Sequence, residues 1–234
     1  KVVIVGGGYA GIAALTTLLH YAPDTEITII DPNSQHLKIT HLHETFRYPL
    51  TDLLIPFSNL ENRFGCRHMA ASVRFDEEQL QTCQETKRLI LNEEVLDFDY
   101  LLIASGCESR TIEHDADVLD LQDFTTSPGS ELLAQFIHNH SQPEQSISVV
   151  GGGATGIQFL FEIKQFLSRT KSKTELRLIH SGEQVLEQFP EGFNTYVQSR
   201  MHDMNIAFYS NTYYRGQQSG KILLTEKQTE KQFE

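Results

Sequence analysis

The hydrophobic pattern of this chain states one theme twice. Residues 2–5, Val-Val-Ile-Val, form a short β-branched run of the kind that suits a strand buried on both faces. Gly6-Gly7-Gly8-Tyr9-Ala10-Gly11 follows at once, and then apolar residues at helical spacing: Ile12, Leu15, Leu18 and Leu19. Residues 26–30 predict a second strand, which ends at Asp31. The theme returns with a strand at 147–150, the run Gly151-Gly152-Gly153-Ala154-Thr155-Gly156, and a helix bearing Ile157, Leu160, Phe161, Ile163, Phe166 and Leu167. A strand at 176–179 then leads into His180. Strand, glycine turn, helix, strand is the order of a dinucleotide-binding βαβ unit, and two such units predict two dinucleotide sites.

Each part of the unit has a physical task. Gly6 permits the tight turn out of the strand, Gly8 lets backbone N–H groups approach a pyrophosphate, and Gly11 lets the helix pack closely on the sheet. The helix N-terminus then offers unpaired N–H groups and roughly half a positive charge. Asp31 stands 25 residues after Gly6, where a carboxylate can accept hydrogen bonds from ribose hydroxyls.

Between and beyond these units the pattern is weaker. Residues 32–65 are aromatic and His-bearing, broken by Pro49 and Pro56. His41 and His43 are spaced as on one face of a strand, with His36 nearby, but no cysteine or carboxylate set completes a metal site. They read as loop histidines, and no metal is expected. Residues 67–92 predict an antiparallel meander with strands at 67–74, 79–83 and 88–91. Residues 100–104 predict a buried strand that stops at Ser105-Gly106. The polar, acidic stretch 107–126 marks a boundary, giving domains 1–110 and 111–234. Ser127 and Pro128 suit the cap and first position of a helix through Ile137. A helix at 193–203, a strand at 206–209 and a hairpin of 212–215 with 222–225 complete the prediction. The fold class is α/β: two Rossmann-like, three-layer domains with parallel sheets and antiparallel β-meander insertions.

Composition narrows the function classes. Of 234 residues, 39% are hydrophobic and 21% charged, as in ordinary globular proteins. No run reaches the ~18 apolar residues of a membrane-spanning helix. The net charge of −12 argues against a nucleic-acid surface or an anionic membrane patch, though not against an anionic cofactor held by backbone donors. Cys66, Cys83 and Cys107 make neither a disulfide framework nor a zinc pattern, so a reducing cytoplasm is expected. The first strand starts at once, so no signal or transit peptide is expected.

Taken together, the motifs resemble those of the FAD-dependent pyridine nucleotide–disulfide oxidoreductase superfamily. GGGYAG at 6–11 with Asp31 is similar to its FAD-binding start, and DFDYLLIASG at 97–106 to its second FAD segment. GGGATGIQFLFEI at 151–163 resembles its NAD(P)H site, and LIHSGEQVLEQFP at 178–190 the stretch after it. The resemblance implies that Gly6, Gly8, Tyr9, Ala10, Gly11 and Asp31 hold FAD, with Ala104 and Gly106 approaching it. It implies that Gly151, Gly153, Thr155, Gly156 and His180 hold NAD(P)H, and that Glu162 is catalytic at the nicotinamide–flavin junction. Lys38 is placed by position alone near the flavin edge.

Four departures refine the resemblance. Residues 32–60 lack the family's Cys-x₄-Cys pair, which points to the branch resembling type II NADH dehydrogenases. His180 stands where an acid favours NAD and an arginine favours NADP, so it settles neither. Gln158 replaces the first glutamate of the family pattern, and Ser105 replaces a threonine. The family's return segment to the FAD domain has no counterpart before residue 234, so a truncated chain is expected. The expected activity is therefore hydride transfer from NAD(P)H to flavin and on to a quinone or another small acceptor. The expected location is the cytoplasm, with attachment to the inner face of the membrane and a homodimer left open. Three other readings stand beside it: a nucleotide-binding fragment without turnover, a sulfide:quinone-type flavoprotein using Cys107, and a flavin-free NAD-dependent dehydrogenase.

Overall fold

Alternation along one four-residue strand sets the architecture of the first half of the chain. The computed structural model describes residues 1–91, 94–107, 118–139, 146–218, 221–227 and 232–233. These fall into two compact units, Lys1–Ile39 with Thr51–Thr111, and Thr40–Leu50 with Ile112–Glu234. Unit 1 runs β1 (Val2–Val5), α1 (Tyr9–Tyr21), β2 (Ile27–Ile30), β3 (Gln35–Leu37), β4 (Leu54–Pro56) and α2 (Phe57–Phe64). It continues with β5 (Arg67–Met69), α3 (Glu77–Thr86), β6 (Arg88–Leu91), β7 (Glu94–Asp97) and β8 (Tyr100–Ile103).

A parallel sheet of order β5-β2-β1-β8 forms the middle layer. Successive β1 side chains point to opposite faces. Val2 and Ile4 join Ile27 and Ile29 against Leu15, Phe57 and Leu60 of α1 and α2. Val3, Val5 and Ile30 pack on the other face against Cys83, Leu89, Leu91 and Phe98. All four β1 residues are buried, as a parallel central strand requires.

Two expectations for unit 1 are corrected. Residues 79–83 are not a strand but lie in α3, whose start is fixed by Asp76 accepting the Gln79 N–H at 2.9 Å. Glu77 and Glu78 in the first turn complement the helix dipole, and this capping outweighs the strand-like alternation of the sequence. Only the antiparallel β6–β7 hairpin remains of the meander. The strand at 100–104 is not buried: Tyr100 is 73%, Leu102 40% and Ile103 47% exposed, because β8 is the edge strand among the described residues.

Unit 2 contains α4 (Asp123–Thr126), α5 (Gly129–Asn139), β9 (Ser146–Val150), α6 (Ala154–Arg169), β10 (Glu175–Ile179) and α7 (Glu191–Asp203). β11 (Ala207–Tyr209), β12 (Thr212–Gln218), β13 (Lys221–Glu226) and β14 (Gln232–Phe233) complete it. A parallel sheet of order β11-β10-β9 carries the repeated theme, and an antiparallel sheet β12-β13-β14 follows. The hairpin is longer than expected and bulges between Tyr214 and Gly216; residues 219–220 of its turn lie outside the described residues, as do 108–117 of the polar boundary stretch.

Residues 40–50 belong to unit 2 and form no strand. The stretch Ile39–Phe46 is a 3₁₀ helix, so His41 and His43 do not share a strand face; their rings lie 6.5 Å apart, centre to centre. Phe46 anchors the segment in an aromatic cluster, edge-on to Phe159 at 5.8 Å and Phe166 at 6.4 Å. The buried Thr45 hydroxyl accepts the Gly129 N–H at 2.9 Å, and Arg169 Nη2 donates to the Phe46 carbonyl at 3.2 Å.

Candidate functional site

The turn after β1 is locked by contacts that leave no room for side chains at three of its glycines. Gly6 takes φ +107° while its N–H continues the sheet onto the Ile30 carbonyl at 2.8 Å. A methyl group on Gly6 would lie 2.2 Å from the Ala104 carbonyl oxygen, on Gly7 2.1 Å from the Phe57 ring, and on Gly11 1.9 Å from the Gly6 carbonyl oxygen. At Gly8 it would meet nothing within 4 Å. Gly8 is the N-cap of α1, with no side-chain cap and no acidic residue in the first turn. Those first N–H groups and the open space before them fit a diphosphate.

Asp31 braces this turn. Its Oδ2 accepts the Gly7 N–H at 2.8 Å, and its Oδ1 accepts from the Asn33 backbone and side chain at 2.9 and 3.0 Å. Its remaining acceptor capacity suits a ribose diol. Tyr9, 44% exposed, and the exposed Ala10 begin α1. The second FAD segment reaches the turn through Ala104, whose N–H donates to the Val5 carbonyl at 2.7 Å, and Gly106 follows at φ +71°. Lys38 Nζ donates to the Asp52 carbonyl at 3.2 Å.

His36, expected to be a loop histidine, instead lies in β3 with its side chain buried. It is 5% exposed, its Nδ1–H donates to the Gly7 carbonyl at 3.1 Å, and Tyr9 packs on it edge-on at 4.9 Å. Burial holds its pKa below the usual imidazole value, against the opposing pull of the Gly7 carbonyl and Asp31. A lowered folded pKa means that the unfolded chain takes up the proton first as pH falls. The contribution of neutral His36 is thus present above about pH 6.5 and lost below it. Thermal melts between pH 5 and 8 should show a steeper acid-side decline in wild type than in His36→Gln; equal slopes would remove His36 from the turn's stability.

The turn after β9 reproduces the first. Gly151 takes φ +111°, and its N–H meets the Ile179 carbonyl at 2.9 Å. A methyl on Gly156 would lie 1.9 Å from the Gly151 carbonyl oxygen, while on Gly153, the uncapped N-cap of α6, it would meet nothing within 4 Å. Thr155 and Gln158 are exposed on α6. His180 occupies the place of Asp31: its Nδ1 accepts the Gly152 N–H at 3.1 Å. Arg177 turns away to Glu175 at 3.4 Å.

Glu162 is not a solvated helix carboxylate. It is 7% exposed, and its Oε1 pairs with Arg47 Nη2 at 2.9 Å. Its Oε2 and the Nδ1 of His43 are buried without a hydrogen-bond partner. Burial lowers the His43 pKa, with Glu44 and Glu162 opposing. The Arg47 pairing was missed because no spacing rule links residues 115 positions apart. Cys66 and Cys83 are buried and their thiol pKa values raised by burial, while Cys107 is exposed. Among the described residues no group of three or more His, Cys, Asp or Glu is placed to hold a metal, and no helix is long and apolar enough to cross a membrane. A hollow of about 430 Å³ opens beside Lys1, Glu26 and Arg67, at the strand ends opposite the glycine turn. Dinucleotides bind at the carboxyl ends of such strands, so this hollow is not their site.

Comparison with known proteins agrees with the doubled turn. The model of the family "Pyridine nucleotide-disulphide oxidoreductase" matches residues 1–234. The chain is 27% identical over 231 residues to a type II NADH:quinone oxidoreductase of Staphylococcus epidermidis, covering 89% of this chain and 56% of that protein. It is 24% identical over 229 residues to the protein of the same name from Staphylococcus aureus, with the same coverage. The chain thus spans little more than half the length of these curated relatives. In fold it is similar to the sulfide:quinone oxidoreductase of Aquifex aeolicus, with TM-score 0.78 and 16% identity over 99% of this chain and 55% of that one. It is also similar to NDH2 from Plasmodium falciparum in complex with NADH, with TM-score 0.74 and 18% identity over 99% and 52%. Because the whole sequence falls within that one family model, the chain belongs to the pyridine nucleotide-disulphide oxidoreductase family.

Proposed function

We propose that the protein is an FAD-dependent NAD(P)H dehydrogenase that passes reducing equivalents to a quinone or another small acceptor. The observation that carries this reading is the duplicated, uncapped glycine turn, each copy with open space where a diphosphate would sit. When bound, the two cofactors supply hydride transfer from nicotinamide to flavin. The chain's own residues bind and orient. Gly6, Gly8, Tyr9, Ala10, Gly11 and Asp31, with Ala104 and Gly106, would hold FAD, and residues 1–110 would be its domain. Gly151, Gly153, Thr155, Gly156 and His180 would hold NAD(P)H in residues 111–234. Glu162 would place a buried charge in the second of these, steadied by Arg47.

The curated relatives named NADH:quinone oxidoreductases support a quinone acceptor. The sulfide:quinone alternative is weaker. It needs reactive thiols, and burial raises the thiol pKa of Cys66 and Cys83, while Cys107 is exposed. The full-length gene product, purified gently, should be yellow and should bleach on anaerobic addition of NADH, with colour returning when a soluble quinone is added. A colourless protein that reduces nothing would leave a nucleotide-binding role without turnover.

A further inference from the structure

At the second glycine turn the ribose-facing acid of the first turn is gone, yet its bracing hydrogen bond is kept. His180 Nδ1 accepts the Gly152 N–H at 3.1 Å, as Asp31 Oδ2 accepts the Gly7 N–H at 2.8 Å. An Nδ1 that accepts a proton cannot also carry one in the neutral ring, so the ring proton sits on Nε2 and that nitrogen is a donor. Such a donor can give one hydrogen bond to a ribose hydroxyl oxygen, but it cannot accept from both hydroxyls of the diol as a carboxylate does.

The chain after β10 supplies one. A methyl group on Gly182 would lie 2.8 Å from His180 Nε2 and 2.2 Å from Glu187 Oε1, so imidazole and carboxylate border the same small space. This placement is built by the backbone. Leu186 donates its N–H to the Gly152 carbonyl at 2.9 Å while holding φ +55°, an unfavourable conformation for a residue with a branched side chain. Val185 is fully buried, and its Cγ1 comes within 3.0 Å of where a methyl on Gly152 would lie. Val185 and Leu186 therefore clamp this segment onto the glycine turn, with the exposed Glu187 beside Gly182. Residues 180–187 contain no lysine or arginine to welcome a 2′-phosphate, and Arg177 is engaged by Glu175.

We propose that Glu187 is the ribose-recognising acid of the second turn, that His180, bracing Gly152 and bordering the same space, shapes the site around it, and that the pair selects the 2′-hydroxyl dinucleotide over its 2′-phosphorylated form. This rests on reading the second turn as the nicotinamide dinucleotide site. Glu187 accepts from the ribose hydroxyls and repels a 2′-phosphate, which carries up to two negative charges.

The test is direct binding to the full-length protein as purified, with its flavin in place so that the first turn is filled. Calorimetric titration with ADP-ribose and with 2′-phospho-ADP-ribose gives the ratio of the two dissociation constants. Wild type should prefer ADP-ribose by about tenfold or more, the worth of one charge-assisted hydrogen bond. Glu187→Gln should bring the ratio near one, Glu187→Arg should invert it, and Glu183→Gln, a neighbouring exposed carboxylate, should leave it unchanged. His180→Ala should shrink the ratio, whereas His180→Asn, which keeps an acceptor for Gly152 and a donor beyond it, should restore it. A ratio that ignores Glu187 while both ligands bind would overturn the proposal alone. Failure of wild type to bind either ligand would overturn the reading of the turn and the proposal with it.

Discussion

Gly156→Ala should lower the melting temperature of its unit by about 10 °C, whereas Gly153→Ala, three residues away, should leave it nearly unchanged and instead weaken binding of ADP-ribose by about tenfold or more. The contrast follows from what each new methyl would meet. On Gly156 it would sit 1.9 Å from the Gly151 carbonyl oxygen, a backbone atom fixed by the sheet bond from Gly151 N–H to Ile179. Helix α6 would have to lift off β9, and overpacking of that kind costs about 2–3 kcal/mol. On Gly153 the methyl would enter open space, so the fold is not disturbed. That space lies before the uncapped N-terminus of α6, where a diphosphate would collect its N–H donors. Gly11 and Gly8 should show the same split in unit 1, with flavin retention as the readout. Scanning calorimetry with the titration separates the two effects. A Gly153→Ala protein that binds as tightly as wild type would show that the space is not the diphosphate seat.

The same residues explain what could be read from the sequence and what could not. The two glycine turns were legible because their tasks are local: strand, turn and helix lie within a dozen residues, and the φ of Gly6 and Gly151 is a property of one position. Asp31 and His180 were reachable because a βαβ unit fixes their distance along the chain. The strand at 79–83 failed because alternation over five residues is a weaker signal than a capping aspartate three residues before the helix N3 donor. The burial of residues 100–104 failed because edge or centre depends on which strands assemble beside it, and hydrophobicity alone does not say. His36, read as a loop histidine, and Arg47, given no role, were misjudged for a common reason. Each finds its partner through tertiary folding: the Gly7 carbonyl and Glu162.

Arg47 gives the other large effect. Its guanidinium pairs with Glu162, a carboxylate that is 7% exposed and whose second oxygen is buried with no hydrogen bond. Arg47→Met removes the partner and strands the charge. Breaking a buried pair from one side costs about 3–5 kcal/mol, and the Arg47 side chain is partly exposed, so about 2–3 kcal/mol is expected. Adding Glu162→Leu should recover most of that loss, since replacing both members by apolar groups of similar size is often neutral or better. Thermal or urea unfolding of the two single variants and the double variant closes the cycle; a double variant no more stable than Arg47→Met would show that the pair is not coupled. The same proteins test whether Glu162 also acts in the reaction. Glu162→Gln keeps the shape and a hydrogen bond to Arg47 but loses the charge. If flavin reduction by NADH in a single turnover then slows by about tenfold with the NADH dissociation constant unchanged, the charge serves the transition state. An unchanged rate in that variant and in the double variant would assign the pair to stability alone, holding residues 40–50 against α6.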